Sequence, residues 1–215
     1  MMNTDFDVLR VDMVRTQFEA RDITDFLVLE AMRRVPRHLF VPEKLRTVAY
    51  EDRPLPIGHG QTISQPYIVA LMTQLGRPGR ARRALDVGTG CGYQAAVLAE
   101  IVPRVFSIEV IPELAEQAEK RLRELGIQDV EVRCGDGYKG WPEEAPFDLM
   151  LVACAPPEPP DSLIEQLAPG GRLVVPVGDL GVQELVLIEK QLDGSTRRSH
   201  EGGVAFVPMV RSDGS

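Results

Sequence analysis

The middle of the chain alternates short apolar runs with stretches of helical periodicity. The apolar runs predict strands at 84–87, 105–108, 130–133, 148–153 and 172–177. Apolar spacing of three to four residues predicts helices at 93–101, 112–125 and 161–167. This alternation from 83 to 177 predicts an α/β fold: a doubly wound, mostly parallel sheet with helices on both faces. Further apolar runs at 184–190 and 205–210 extend it to a seven-stranded sheet.

The first third of the chain predicts an N-terminal helical extension instead of strands. Helical spacing runs over 8–45, with Thr24 or Asp25 as a helix cap and Pro36 as a terminator. Residues 51–66 hold three prolines and two glycines, which indicates a long loop, and long loops in compact domains are often functional. A helix at 67–75 follows this loop.

Composition narrows the class of protein. The 215 residues carry a formal net charge of −8, which argues against nucleic acid or an anionic membrane as partner. Three cysteines without metal-type spacing favour reduced thiols, and the acidic N-terminus lacks signal-peptide features, so we expect a cytoplasmic protein. We expect one domain over 1–215: helices and a loop at 1–82, a ligand-binding core at 83–178 and terminal strands at 179–215.

Ligands of doubly wound sheets bind beyond the carboxyl ends of the strands, where this chain has a glycine-rich loop. Residues 86–92 read DVGTGCG, a G-x-G-x-G pattern. Tyr93 stands where a dinucleotide fingerprint would have its third glycine, and no G-K-[ST] follows for a phosphate loop. A tight strand-to-helix turn without a ligand remains the alternative.

Two acidic residues end the next two predicted strands. Glu109 can accept hydrogen bonds from both hydroxyls of a ribose, or can serve as a helix N-terminal charge before Pro112. Asp136, in CGDG, can meet an adenine amino group or can form an Asp-Gly turn. With the glycine loop, these residues predict a nucleoside site without a phosphate cradle.

At this point the sequence resembles a known family. LDVGTGCGYQAAVLA, SIEVIPEL, GDG and FDLMLVACAPP look like the class I S-adenosylmethionine-dependent methyltransferases. The segment LPIGHGQTISQP at 55–66, with segments at 13–43, 134–141, 155–178 and 204–210, is similar to protein-L-isoaspartate O-methyltransferases. The resemblance covers about residues 10 to 210 in order.

The resemblance implies a reaction and its residues. S-adenosylmethionine would give its methyl group to the free α-carboxylate of an isoaspartyl residue in a damaged peptide or protein, starting repair and leaving S-adenosylhomocysteine; no metal is implied. It places the active-site serine at Ser64. The Ser64 hydroxyl and backbone N–H groups near Thr62 could hold the substrate carboxylate, and His59 could either contact the substrate or order the loop. The implied cofactor residues are Gln65, Gly88, Gly90, Gly92, Glu109, Asp136 and Gly137.

The acceptor chemistry explains why Ser64 is not expected to act as a nucleophile. An α-carboxyl group has a pKa of roughly 3.5, so it is ionised at neutral pH and can itself attack a methyl group. The protein has to hold it in line with the donor, and Ser64 is suited to that positioning. The alternative is that Thr62 and Ser64 are turn residues before Pro66.

Other interpretations remain open at this stage. A class I methyltransferase acting on another carboxylate or small molecule shares every cofactor residue. A cofactor-binding module without catalysis and a nicotinamide oxidoreductase are more distant alternatives. Family members often have arginine where this chain has Ala205, which bears on peptide preference. We expect a monomer that takes peptides and proteins as substrates.

Overall fold

The computed structural model describes residues 5–179 and 181–211, and its centre is a seven-stranded sheet. The strands are β3 (Arg83–Val87), β4 (Arg104–Glu109), β5 (Val130–Cys134), β6 (Phe147–Val152), β7 (Leu167–Val177), β8 (Gln183–Lys190) and β9 (Thr196–Val204). Their order is β5-β4-β3-β6-β7-β8-β9, parallel from β5 to β7 and antiparallel from β7 to β9. The predicted fold class is confirmed.

Within the described residues, six α-helices accompany the sheet. They are α1 (Phe6–Met13), α2 (Phe26–Arg34), α3 (Pro66–Leu75), α4 (Tyr93–Ala99), α5 (Pro112–Glu124) and α6 (Asp161–Glu165). A π-helical segment, Val14–Glu19, continues α1, and Asp25 caps α2 through hydrogen bonds from the N–H groups of Leu27 and Val28. None of the helices in the described ranges is long and apolar enough to span a membrane.

Both faces of the sheet are covered, because successive strand residues point to opposite sides. On one face Leu85, Phe106 and Met150 pack with residues near α6. On the other face Ala84 and Leu149 pack with residues of α3 and α4. Burial on both faces explains why these strands read as continuous apolar runs in the sequence.

The N-terminal elements share a core with α3 to α5. Phe18, Met32 and Phe40 are buried together with Tyr93 of α4 and Leu122 of α5. The ring of Phe40 meets that of Tyr93 edge to face, with 5.4 Å between centroids. The extension is therefore packed directly behind the glycine loop.

Residues 51–66 were predicted as a loop, and this was wrong in part. They contain an antiparallel hairpin, β1 (Leu55–Gly58) and β2 (Gln61–Ile63). Its tip, Gly58 to Gly60, has positive φ throughout, including 51° at His59. Glycine accepts this conformation at no steric cost, so the residues that suggested a loop are those that form a tight turn.

The end of the chain also differs from the prediction. The last strand is β9, not residues 205–210, and its polar sequence gives no apolar signal. Residues 205–211, which we call the strap, are irregular and make one isolated bridge, between Ala155 and Pro208. The exposed sheet edges carry Glu131 and Arg133 on β5, and Arg197 and Arg198 on β9.

Candidate active site

A cleft opens at the carboxyl ends of β3, β4 and β6, with about 890 Å³ of empty space when the open solvent at its mouth is included. Parallel pairing brings these ends level, because Val87 is in register with both Ile108 and Val152. The walls come from the glycine loop, the end of β4, the hairpin and the strap. We call this the main cleft.

The backbone N–H groups of the glycine loop are occupied by hydrogen bonds to the end of β4 and within the loop. The N–H groups of Gly88 and Thr89 both donate to the Ile108 carbonyl oxygen, at 2.8 and 3.1 Å, and that of Gly92 donates to Thr89. The N–H group of Gly90 donates to the Glu109 carboxylate at 2.7 Å. These four donors are therefore not free to bind a phosphate. This agrees with the glycine spacing, which predicted a site without a phosphate cradle. Gly88 and Gly90 have φ of 91° and 54° and line the main cleft.

Glu109 is held rigidly at the end of β4. One carboxylate oxygen accepts from the N–H group of Gly90, and the other accepts from that of Ile111 at 3.0 Å. Its exposed fraction is 5%, and it lines the main cleft. A carboxylate has about four lone-pair sites, so about two remain for further donors. That is the number a ribose diol requires, so the site fits this part of a nucleoside.

Three hydrogen-bonded polar side chains lie buried beneath the glycine loop, and no sequence pattern predicted them. Ser107 donates to the Asp86 carboxylate at 2.8 Å and lies 2.6 Å from the Thr89 hydroxyl. Asp86 and Ser107 are in register on neighbouring strands. Burial raises the pKa of Asp86 to about 7, with a further increase from the Glu109 charge and a decrease from the Ser107 hydrogen bond.

Asp86 should make the stability of the fold depend on pH. A raised pKa gives a stability contribution that is complete below the unfolded value of about 4 and is lost as pH rises through the folded value. We expect the free energy of unfolding of the wild type, relative to Asp86→Asn, to fall by about 3 kcal/mol from pH 5 to pH 8. Urea unfolding at both pH values measures it, and parallel pH profiles would contradict the buried charge.

The hairpin and the strap form the outer walls. Thr62 of the hairpin and Ser64, just after it, line the main cleft, and the Ser64 hydroxyl makes no hydrogen bond within the described residues. Strap residues Val207 to Val210 also line this cleft. The lining of the main cleft therefore combines hydroxyl groups with apolar side chains.

The side-chain amide of Gln183 holds the strap through the pair of hydrogen bonds that a backbone amide of a neighbouring strand would make. The amide of Gln183, 5% exposed, accepts from the N–H group of Phe206 at 2.6 Å and donates to its carbonyl oxygen at 3.1 Å. Ala155 pairs in the same manner with Val207 and Met209 through its own backbone. These contacts hold the strap along the cleft without a regular strand.

A second, more open cleft adjoins the first. It is lined by Gln65, Gly203, Ala205 and Phe206 among others. Four residues line both clefts: Thr62, Ser64, Ala153 and Val207. A molecule in the second cleft would therefore reach the hydroxyl groups at the wall of the main cleft.

The structure brings together most of the residues that the sequence singled out. The main cleft is lined by Thr62, Ser64, Gly88, Gly90, Glu109 and Gly137. Gln65 lines only the second cleft, and His59 lies exposed at the hairpin tip. The roles assigned to all of these residues stay predictions.

Two predicted site residues have clear local roles. Asp136 accepts a hydrogen bond from the N–H group of Tyr138 at 2.9 Å, which is the turn geometry weighed as its alternative. Gly92 has a φ of 89°, and a Cβ there would lie 3.5 Å from side-chain atoms of Ala118 and Leu122. Neither residue is among those lining the main cleft.

Several lining residues were missed by sequence reasoning. They include Thr89, Ile111, Cys154 and the strap residues. Apolar side chains in an irregular segment give no pattern that separates a ligand wall from core. Cys91, inside the glycine loop, is buried, and burial raises the pKa of its thiol. Within 5–179 and 181–211, no three His, Cys, Asp or Glu residues are grouped to hold a metal.

The doubly wound sheet, with a carboxylate free to accept from a ribose and no phosphate cradle in the glycine loop, fits the class of the S-adenosylmethionine-dependent methyltransferases. Comparison with known proteins gives the family. Residues 10–214 match the family model of protein-L-isoaspartate(D-aspartate) O-methyltransferase. The chain belongs to this family.

Relatives agree along nearly the whole chain. Protein-L-isoaspartate O-methyltransferase 1 of Syntrophobacter fumaroxidans is 56% identical over 205 residues, which cover 95% of each chain. Protein-L-isoaspartate O-methyltransferase 2 of Marinobacter nauticus is 55% identical over 212 residues, covering 98% of this chain and 96% of the relative.

Solved structures share the fold. A protein-L-isoaspartate O-methyltransferase structure superposes with a TM-score of 0.83 at 28% identity, covering 96% of this chain and 66% of the other. A putative enzyme of this type from Plasmodium falciparum, in complex with S-adenosyl-L-homocysteine, gives a TM-score of 0.80 at 26% identity, covering 96% and 99%.

Proposed function

We propose that the two clefts together form the active site for the reaction of this family. That reaction transfers a methyl group from S-adenosylmethionine to the free α-carboxylate of an L-isoaspartyl residue. The observation that supports the arrangement is that Thr62 and Ser64 line both clefts. A donor in the main cleft and an acceptor in the second cleft would meet at these two residues.

The main cleft fits the cofactor by its chemistry. Glu109 would accept the two ribose hydroxyls, Gly88 and Gly90 would let the ligand approach the backbone closely, and Gly137 and Asp136 would lie on the adenine side. Gln65 and Gly92 stay in the proposal on the family resemblance alone, and His59 stays in it because of its place in the turn between Gly58 and Gly60. When bound, S-adenosylmethionine supplies an electrophilic methyl group.

The acceptor side requires positioning, not a base. The substrate carboxylate is already ionised near neutral pH, so no proton has to be removed before it attacks. The Ser64 hydroxyl and the backbone near Thr62 would orient it. Weak hydrogen bonding suits this role, because strong bonds would favour the charged ground state over a transition state in which charge is lost.

The substrate class is the point on which the main alternative differs. A methyltransferase for another carboxylate or small molecule would use the same main cleft. The second cleft measures about 1300 Å³ with its open mouth, which suits a peptide segment. Ala205 lines it with a short side chain, where family members often carry arginine.

Two synthetic peptides test the proposal, identical except that one contains isoaspartate and the other aspartate. Each is incubated with the protein and methyl-labelled S-adenosylmethionine, and base-labile label is counted. We expect label on the isoaspartyl peptide alone. Label on neither peptide, with cofactor still bound, would overturn the substrate assignment, and base-stable label would indicate N-methylation.

We also propose that the chain acts in the cytoplasm as a monomer and a single domain, without nucleic acid or membrane partners. The net charge of −8 and the free thiols of Cys91, Cys134 and Cys154 support the compartment and the absence of anionic partners. The core shared between the N-terminal helices and α4 supports the single domain. Light scattering in solution tests the monomer.

A further inference from the structure

Arg37 is an arginine buried behind the active-site wall. Its exposed fraction is 0%. Nε donates to the Ala49 carbonyl oxygen and Nη2 donates to the Ser64 carbonyl oxygen, each at 2.7 Å. The guanidinium lies over the ring of Tyr93, 4.9 Å from its centroid. These contacts join the N-terminal extension to the segment that carries Ser64.

The charge of Arg37 has no counter-ion among the described residues. No Asp or Glu carboxylate in that part of the chain lies within ion-pair distance of the Arg37 guanidinium. Its Nη1 atom is buried without a hydrogen-bond partner. Burial lowers the pKa of Arg37, but an arginine stays protonated in proteins. Buried charges are normally paired, so an unpaired one requires an explanation.

The contacts of Arg37 place this charge next to the proposed acceptor site. Ser64 and Tyr93 both line the main cleft, and both touch the guanidinium. The substrate carboxylate would bind on the other side of Ser64. The negatively charged substrate would then lie close to the positive charge of Arg37, which has no counter-ion among the described residues.

We infer that Arg37 is a positioning residue with two effects on the acceptor. It fixes the Ser64 backbone, and its uncompensated charge makes the site prefer a carboxylate to a neutral group of the same shape. This inference rests on the proposed function. The charge acts mainly on substrate binding, because the carboxylate loses its charge as the methyl group is transferred.

The test compares two ligands in three proteins. The ligands are an isoaspartyl peptide with a free α-carboxylate and the same peptide with an α-carboxamide, and binding is measured by calorimetry with S-adenosylhomocysteine present. The proteins are the wild type, Arg37→Met and Arg37→Lys. A unit charge acting across about 10 Å, at an effective dielectric constant of about 20, changes affinity on the order of tenfold.

We expect Arg37→Met to weaken binding of the carboxylate peptide about tenfold and to leave the carboxamide peptide nearly unchanged. Arg37→Lys loses the forked donors, and burial without a counter-ion lowers the pKa of a lysine, so we expect its preference for the carboxylate peptide to strengthen as the pH falls. Equal weakening of both ligands in Arg37→Met, or no preference in Arg37→Lys at any pH at which it is folded, would overturn the electrostatic role.

A matched control separates this effect from general instability. Arg172 is also buried, but it pairs with Glu189 and donates to the Leu75 carbonyl oxygen at 2.7 Å. We expect Arg172→Met to lower the unfolding temperature without changing the ligand preference. If the wild type itself fails to bind or methylate the isoaspartyl peptide, the proposed function fails, whatever the variants show.

Discussion

Replacing Glu109 with alanine is expected to weaken the binding of S-adenosylmethionine and S-adenosylhomocysteine by at least about a hundredfold. The side chain offers about two free lone-pair sites for ribose hydroxyls, and hydrogen bonds to a charged group contribute about 1.5–3 kcal/mol each. The change also leaves the N–H groups of Gly90 and Ile111 without their acceptor. Calorimetry with S-adenosylhomocysteine measures the loss.

Glu113→Ala is the matched control for this experiment. Glu113 is an exposed carboxylate in the first turn of α5, so it tests whether a negative charge near that helix suffices. We expect its cofactor affinity to stay within about twofold of the wild type. Unchanged affinity in Glu109→Ala would show that the carboxylate is not the ribose acceptor and serves only the loop.

Replacing Ser64 with alanine is expected to lower kcat for an isoaspartyl peptide by about a hundredfold, while cofactor affinity stays nearly constant. The hydroxyl makes no hydrogen bond within the described residues, so its removal should leave the fold intact. The backbone carbonyl of Ser64, which Arg37 holds, is unaffected by the substitution. Initial rates and calorimetry together separate the two effects.

Ser195→Ala serves as the control for the serine variant, because Ser195 lies on the turn between β8 and β9 and hydrogen-bonds with Asp193. It should turn over the peptide at the wild-type rate. If Ser64→Ala loses cofactor affinity and turnover to the same extent, then Ser64 shapes the loop and does not orient the acceptor.

The inner part of the sheet could be predicted because its strands carry their own signal. Burial on both faces of β3, β4, β6 and β7 produces apolar runs, and the helices between them keep an apolar stripe, so pattern and structure agree there. The hairpin and β9 carry weaker signals. One is dominated by glycine and proline, and the other is a polar edge strand of nine residues.

The candidate site could be predicted only where a local sequence motif indicates the role of a residue. The glycine spacing and Glu109 at a strand end indicated the main cleft. The bond between Asp86 and Ser107 depends on strand register, which links positions 21 residues apart. The backbone role of Gln183 depends on the exact course of the strap, which no local pattern describes.

The charged residues at the edges of the sheet affect how the protein associates with other chains. An exposed edge offers unpaired backbone groups to any extended chain, and charged side chains there discourage such pairing. Glu131 and Arg133 lie on the edge strand β5, and Arg197 and Arg198 lie on the edge strand β9. A methyltransferase whose sheet edges are charged in this way can bind extended peptides in its cleft without offering those edges as a template for their aggregation.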